Sequence, residues 1–186
     1  VYEYLDPSGT VVGTAMPDMP GMPGMPGMGT TANYNPTFLT RSGVPIQVTW
    51  INDLPTSGQF LPVDSSILTG MGDMGMTPVD PTMVATVPHL HGGHTAAIYD
   101  GYPTDGFTQS GLNAMAGMAM TSSDTYTYDN SQQGSFIWYH DHTMGLTRLN
   151  VYAGLEGSYF IEDQNRRNLE AAGVLPYLPL NNALNE

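Results

Sequence analysis

The sequence predicts an all-β fold, and three observations carry that prediction. Twenty-two glycines and 15 prolines interrupt the 186-residue chain too often for long helices. Its hydrophobic residues, 40% of the total, fall in short runs rich in Val, Ile, Tyr and Phe, a composition that suits a pleated, half-buried strand. Those runs recur between turn-rich stretches, the cadence of a sandwich or barrel. The length suits one domain with tails, enough for a single substantial core.

In chain order, residues 1–36 hold two short β-like runs, Tyr2 to Leu5 and Thr10 to Thr14, separated by the turn signal Asp6-Pro7-Ser8-Gly9. A Met-Pro-Gly repeat follows from Met19 to Met28. Its three-residue period forms neither helix nor central strand, so an exposed, mobile loop is expected, attached to the first domain. Residues 37–163 are read as that domain's body. Val44 to Asn52 alternates apolar with polar residues as a half-buried strand does. Further strand-like runs lie at Met83 to Leu90, Thr125 to Tyr128, Ser135 to His140 and Leu155 to Ile161. Asp163 is placed to cap a short helix running through Asn168, Leu169 and Ala172 and closed by Gly173. Residues 164–186 as a whole, Pro/Asn-rich beyond Val174, read as a linker toward a second domain.

The charge balance excludes some partners. Seventeen acidic residues stand against four arginines and no lysine, a formal net charge of −13, so nucleic acid is not an expected partner. Such acidity attracts cations at long range, and it also serves solubility. With no cysteine, this chain has neither disulfides nor thiolate metal sites. No run of 18 apolar residues occurs and the opening Val1-Tyr2-Glu3-Tyr4 has no basic or apolar leader, so neither a membrane span nor an intact signal peptide is expected. A Gly-x-Gly-x-x-Gly match at Gly70, Gly72 and Gly75 lacks the strand before it and the helix after it that nucleotide binding requires.

The chemistry lies in the histidines. Four of the five fall into two His-x-His pairs, His89-Leu90-His91 and His140-Asp141-His142. Alternate residues of a strand point to one face, so each pair projects two imidazoles together, with Cα atoms about 6.5–7 Å apart. Two such pairs on neighbouring strands converge four nitrogen donors. Imidazole without thiolate suits copper, zinc, iron or nickel, and the donors alone do not name the metal. His94, out of period in Gly92-Gly93-His94, is read as a loop residue. Trp138 and Tyr139 are read as packing the walls of the cluster, and Arg148 as making a structural ion pair or hydrogen bonds.

At these residues a family resemblance becomes specific. Val87-Pro88-His89-Leu90-His91-Gly92-Gly93 and Ile137-Trp138-Tyr139-His140-Asp141-His142-Thr143-Met144-Gly145 resemble the two amino-terminal copper motifs of multicopper oxidases, above all bacterial laccases of the spore-coat, bilirubin-oxidase-like type. The similarity continues through Asn52-Asp53-Leu54-Pro55, Asp100-Gly101-Tyr102-Pro103 and Leu146 to Leu155, and covers residues 44 to 163. It implies a cupredoxin-like Greek-key β-sandwich or barrel, with Met/Gly/Pro-rich loops as local departures. It also implies that His89 ligates a type 2 copper and that His91, His140 and His142 ligate a type 3 pair. These four would form half of a trinuclear cluster. Asp100 resembles the family's aspartate near the type 2 copper, which hydrogen-bonds water and relays protons.

In the family, four further histidines in His-x-x-His-x-His and His-Cys-His motifs complete the cluster from carboxy-terminal cupredoxin domains, and neither motif occurs here. The type 1 copper requires a thiolate, so it is expected outside this chain, on a second chain or a missing segment. The implied activity takes single electrons from a small reduced substrate and reduces dioxygen to water. Phenols, bilirubin-like pigments, Cu(I) and Mn(II) remain open as donors, and export to the periplasm, the cell surface or beyond is expected. The competing reading is a non-enzymatic copper-binding or storage module; a histidine-rich zinc hydrolase is weaker, since no carboxylate ligand motif accompanies either pair. Met16 to Met28 and Met71 to Met76 are read as low-complexity insertions, with recruitment of Cu(I) by thioethers as the other possibility.

Overall fold

The computed structural model describes residues 37–54, 58–59, 62–64, 84–109 and 123–176. The β-like runs before residue 37 and both Met-rich segments lie outside them. Eight strands and two short helices make up the described regular structure, with two single 3-10 turns at Ala97–Tyr99 and Pro103–Asp105. The strands are β1 (Phe38–Arg41), β2 (Ile46–Ile51), β3 (Ala85–Thr86), β4 (Pro88–His91), β5 (Phe107–Thr108), β6 (Ser123–Tyr128), β7 (Ser135–Asp141) and β8 (Glu156–Glu162). The helices are α1 (Thr147–Tyr152) and α2 (Gln164–Ala171). The described residues are mostly strand with few helices, in keeping with the all-β class expected.

β1, β8, β7 and β4 form one sheet in that order, with β1 parallel to β8 and the other pairs antiparallel. β2 pairs with β6, and β3 with β5. Period-2 alternation sends Phe38, Leu90, Tyr139, Tyr159 and Ile161 of the four-stranded sheet inward, against Val48, Trp50, Tyr126 and Tyr128 of the β2–β6 pair. The two layers meet through aromatic edges and faces: Phe38 lies 6.0 Å from Trp50 and Tyr139 5.3 Å from Trp50, centroid to centroid. Such pairs add roughly 0.5–1.5 kcal/mol each beyond burial. The polar tips inside this layer are paired as well. Trp50 Nε1 donates to the Tyr128 hydroxyl at 3.2 Å, and the Tyr159 hydroxyl meets Asn130 Oδ1 at 2.7 Å.

The strand expected over Met83 to Leu90 is two strands. Val87 leaves the ladder between β3 and β4, and Pro88, having no N–H to donate, opens β4 where a proline is tolerated. β1 is only four residues long and α1 carries Thr, Asn, Val and Tyr in six positions; neither displays a period long enough to read. The helix after Asp163 forms as its cap predicts: the Asp163 carboxylate accepts from the Arg166 N–H at 2.8 Å, and Gly173 follows the helix at φ +70°. The same carboxylate accepts from Gly134 N–H at 3.1 Å, and Arg167 reaches Glu162 at 3.2 Å. No described helix is long and apolar enough to cross a membrane.

Candidate metal centre

The site is built on one face of the β4–β7 pair. In that antiparallel register His89 lies opposite His140, and His91 opposite Trp138, while Leu90 faces Tyr139 and Pro88 faces Asp141. Alternation therefore turns His89, His91, Trp138 and His140 to the outer face and buries Leu90, Tyr139 and Asp141. A slip of one residue would exchange the two sets, so the core pins the histidines outward. His142 follows β7 directly and returns to the group, its ring stacked on His89 at 4.6 Å. Ligand atoms of His89, His91 and His140 lie within 4.8 Å of one another. The four rings line one side of an open cleft of about 820 Å3, with Arg148 and Tyr152 of α1 at its edge.

Three of the four rings are anchored through Nδ1 to backbone carbonyls. His89 Nδ1 is 2.6 Å from Asp100 O, His140 Nδ1 2.7 Å from Asp141 O, and His142 Nδ1 2.8 Å from Gly101 O. A carbonyl only accepts, so each Nδ1 carries the proton, and in the neutral ring each Nε2 keeps a bare lone pair. This is the tautomer a metal takes, with the second nitrogen oriented from behind. His91 differs: its Nδ1 lies 3.1 Å from His140 Nε2. Burial, reinforced by the neighbouring imidazoles, holds His140 below the ordinary histidine range, which keeps it neutral and able to coordinate.

The anchoring carbonyls come from a loop that only glycine allows at one point. Gly101 has φ +76°, and a Cβ there would lie 2.0 Å from Pro88 O. The close approach brings Gly101 O to His142 and Asp100 O to His89. The Asp100 carboxylate also lies 3.2 Å from His89 Nδ1, about half exposed to solvent.

Other expectations meet the structure unevenly. His94 stands apart from the ligand group, its N–H donating to Gln132 Oε1 at 2.7 Å. Trp138 is a wall, 4.4 Å from the His140 ring and 5.5 Å from His91. Tyr139 is not: odd-numbered β7 residues face the core, and its ring packs on Phe38 and Trp50. Arg148 lies exposed at the cleft and, among the described residues, forms no ion pair or hydrogen bond; the other three arginines reach Glu162 or Glu170 from β1 and α2. Sequence reasoning passed over Asp141. It is fully buried, and Thr86 Oγ1, Val87 N, Thr143 Oγ1 and Thr143 N all donate to its carboxylate at 2.8–3.1 Å. Burial pushes this carboxyl up, with those hydrogen bonds pulling the other way.

The chain is similar to proteins of one family. Residues 83–166 match the multicopper oxidase family. The chain is 44% identical over 135 residues to a laccase of Bacillus stratosphericus, covering 73% of this chain and 24% of that protein. It is 39% identical over 139 residues to a laccase of Bacillus subtilis (strain 168), covering 73% and 25% respectively. A solved McoA multicopper oxidase variant from Aquifex aeolicus superposes with a TM-score of 0.49 at 22% identity, covering 75% of this chain and 22% of that one. The chain thus spans about a quarter of the length of the laccases it matches.

Proposed function

The chain belongs to the multicopper oxidase family, and from that premise we propose that it supplies half of a trinuclear copper cluster in a laccase-like oxidase. His89 is the type 2 ligand, and His91, His140 and His142 serve the type 3 pair. One observation carries the proposal: three anchored imidazoles and His91 gather their nitrogen donors at one cleft. The donor set fits copper, since imidazoles without thiolate or carboxylate ligands suit a borderline metal. His91 Nδ1 and His140 Nε2, 3.1 Å apart, are close enough to serve a single ion.

Copper, when bound, supplies the one-electron steps and the dioxygen chemistry. The chain's own contribution is orientation and proton handling. Backbone carbonyls fix the tautomers of His89, His140 and His142, so the donors are organised before any metal arrives. Trp138 limits the freedom of His91 by stacking on it and of His140 by packing against its ring. Asp100, partly solvated beside His89, is placed to pass protons between solvent and the cluster. The remaining ligands and the thiolate-bound type 1 copper lie on other cupredoxin domains, because this chain has no cysteine and one histidine to spare. The reduced substrate meets that other portion, and export from the cytoplasm is part of the same proposal.

The test is oxygen uptake by the copper-loaded holoprotein with a simple phenol as electron donor. Consumption of dioxygen that H140A abolishes supports the oxidase. Stable copper binding with no oxygen uptake from any tested donor contradicts it and leaves a copper store.

A further inference from the structure

Asp141 occupies an inward position of β7 where alternation with Ile137 and Tyr139 calls for an apolar side chain. A carboxylate with no exposure is costly there, and replacing buried polar groups with apolar ones is often neutral or stabilising. Its partners show what it joins. Val87 and Thr86 lie just ahead of His89 on the chain, and Thr143 directly follows His142. The link is closed a second time by His142 N–H donating to Val87 O at 2.8 Å. The Asp141 backbone is held at both ends as well: its N–H donates to Leu155 O at 3.0 Å, and its carbonyl accepts from His140 Nδ1 at 2.7 Å.

We infer that Asp141 is a positioning residue for the cluster: its buried carboxylate ties the entry to the first histidine pair to the exit from the second. In doing so it fixes the carbonyl that sets the His140 tautomer. The inference rests on the copper assignment above. Hydroxyls at Thr86 and Thr143 and amides at Val87 and Thr143 are directional donors, so the carboxylate can settle in one orientation only. Rotation of Asp141 would swing its carbonyl off His140 Nδ1 and displace His142 next to it.

The experiment is D141N in the native holoprotein, read by copper content and by 15N NMR of His140 in the copper-free form. Asn keeps the size but sets an NH2 against the Thr143 N–H. The expected result is copper binding weakened about 10–100-fold, the range for losing a group that orients a ligand, together with loss of the single Nδ1–H tautomer at His140. Unchanged copper content and an unchanged tautomer overturn the inference. If D141N does not fold, T86V and T143V decide, each removing one hydroxyl donor while keeping the side-chain shape. Weaker copper binding in either supports the inference, and wild-type binding in both overturns it. The copper assignment is judged separately, by whether the wild-type protein holds copper at these histidines.

Discussion

His91 Nδ1 and His140 Nε2 lie 3.1 Å apart across the β4–β7 ladder, although the two residues are 49 positions apart in sequence. His140 Nδ1 is committed to Asp141 O, so its Nε2 offers a lone pair directly at His91. Either His91 donates a proton into that gap or both nitrogens face a metal. Replacing His91 or His140 by alanine is expected to weaken copper binding by more than the ~10–100-fold typical of losing a supporting group. H94A is expected to leave it unchanged, and copper titration of the three variants checks the contrast.

Gly101 is expected to tolerate no side chain. Its φ of +76° and the 2.0 Å approach of Pro88 O to a built Cβ make G101A destabilising by at least about 2 kcal/mol, strain and displacement combined. Because Gly101 O anchors His142 and its neighbour's carbonyl anchors His89, copper affinity falls with stability. Thermal unfolding with and without copper measures both.

Trp138 stacks on the His91 ring and packs at a tilt against the His140 ring. W138A removes two aromatic contacts worth roughly 0.5–1.5 kcal/mol each, lowering the melting temperature of the copper-free protein, while W138F keeps part of the contact and loses less. A W138A melting curve superposing on wild type would show that the stacking contributes nothing.

The cap of α2 depends on pH in a definite direction. Hydrogen bonds from the Arg166 and Gly134 amides hold the Asp163 carboxyl below its ordinary value of 3.8. The ionised form is thus favoured in the folded protein. Its contribution is complete above that ordinary value and disappears as pH falls through the lowered folded value. Amide exchange at Arg166 and Gly134 is expected to lose protection in D163A at neutral pH. In wild type the same loss appears only in strong acid.

The histidine pairs, their common face and the helix cap were legible because each follows from a short period or a three-residue signature. Four imidazoles at i and i+2 on two strands leave few arrangements once the core residues between them are identified. Asp141 is not a ligand, so a pattern of ligand types does not single it out. The same period that groups His140 with Trp138 puts Asp141 and Tyr139 on the buried side, and a carboxylate on that side was the available signal. Tyr139 flanks the second histidine pair in sequence, but its odd position in β7 turns it into the core. The anchoring carbonyls of Asp100 and Gly101 were not readable, since a backbone contact depends on the fold of the loop and leaves only a glycine as its trace. The split at Val87 escaped for a related reason: its N–H and C=O serve Asp141 and His142, partners 54 and 55 residues away.

The measurement that tests the central claim most directly is copper X-ray absorption of the native holoprotein, compared with the H140A variant. The assignment predicts imidazole scattering and a neighbouring copper in the outer shell of the wild type, with the copper–copper feature lost in H140A. Copper that is mononuclear, or bound only by thioether sulfur and unaffected by H140A, would contradict it.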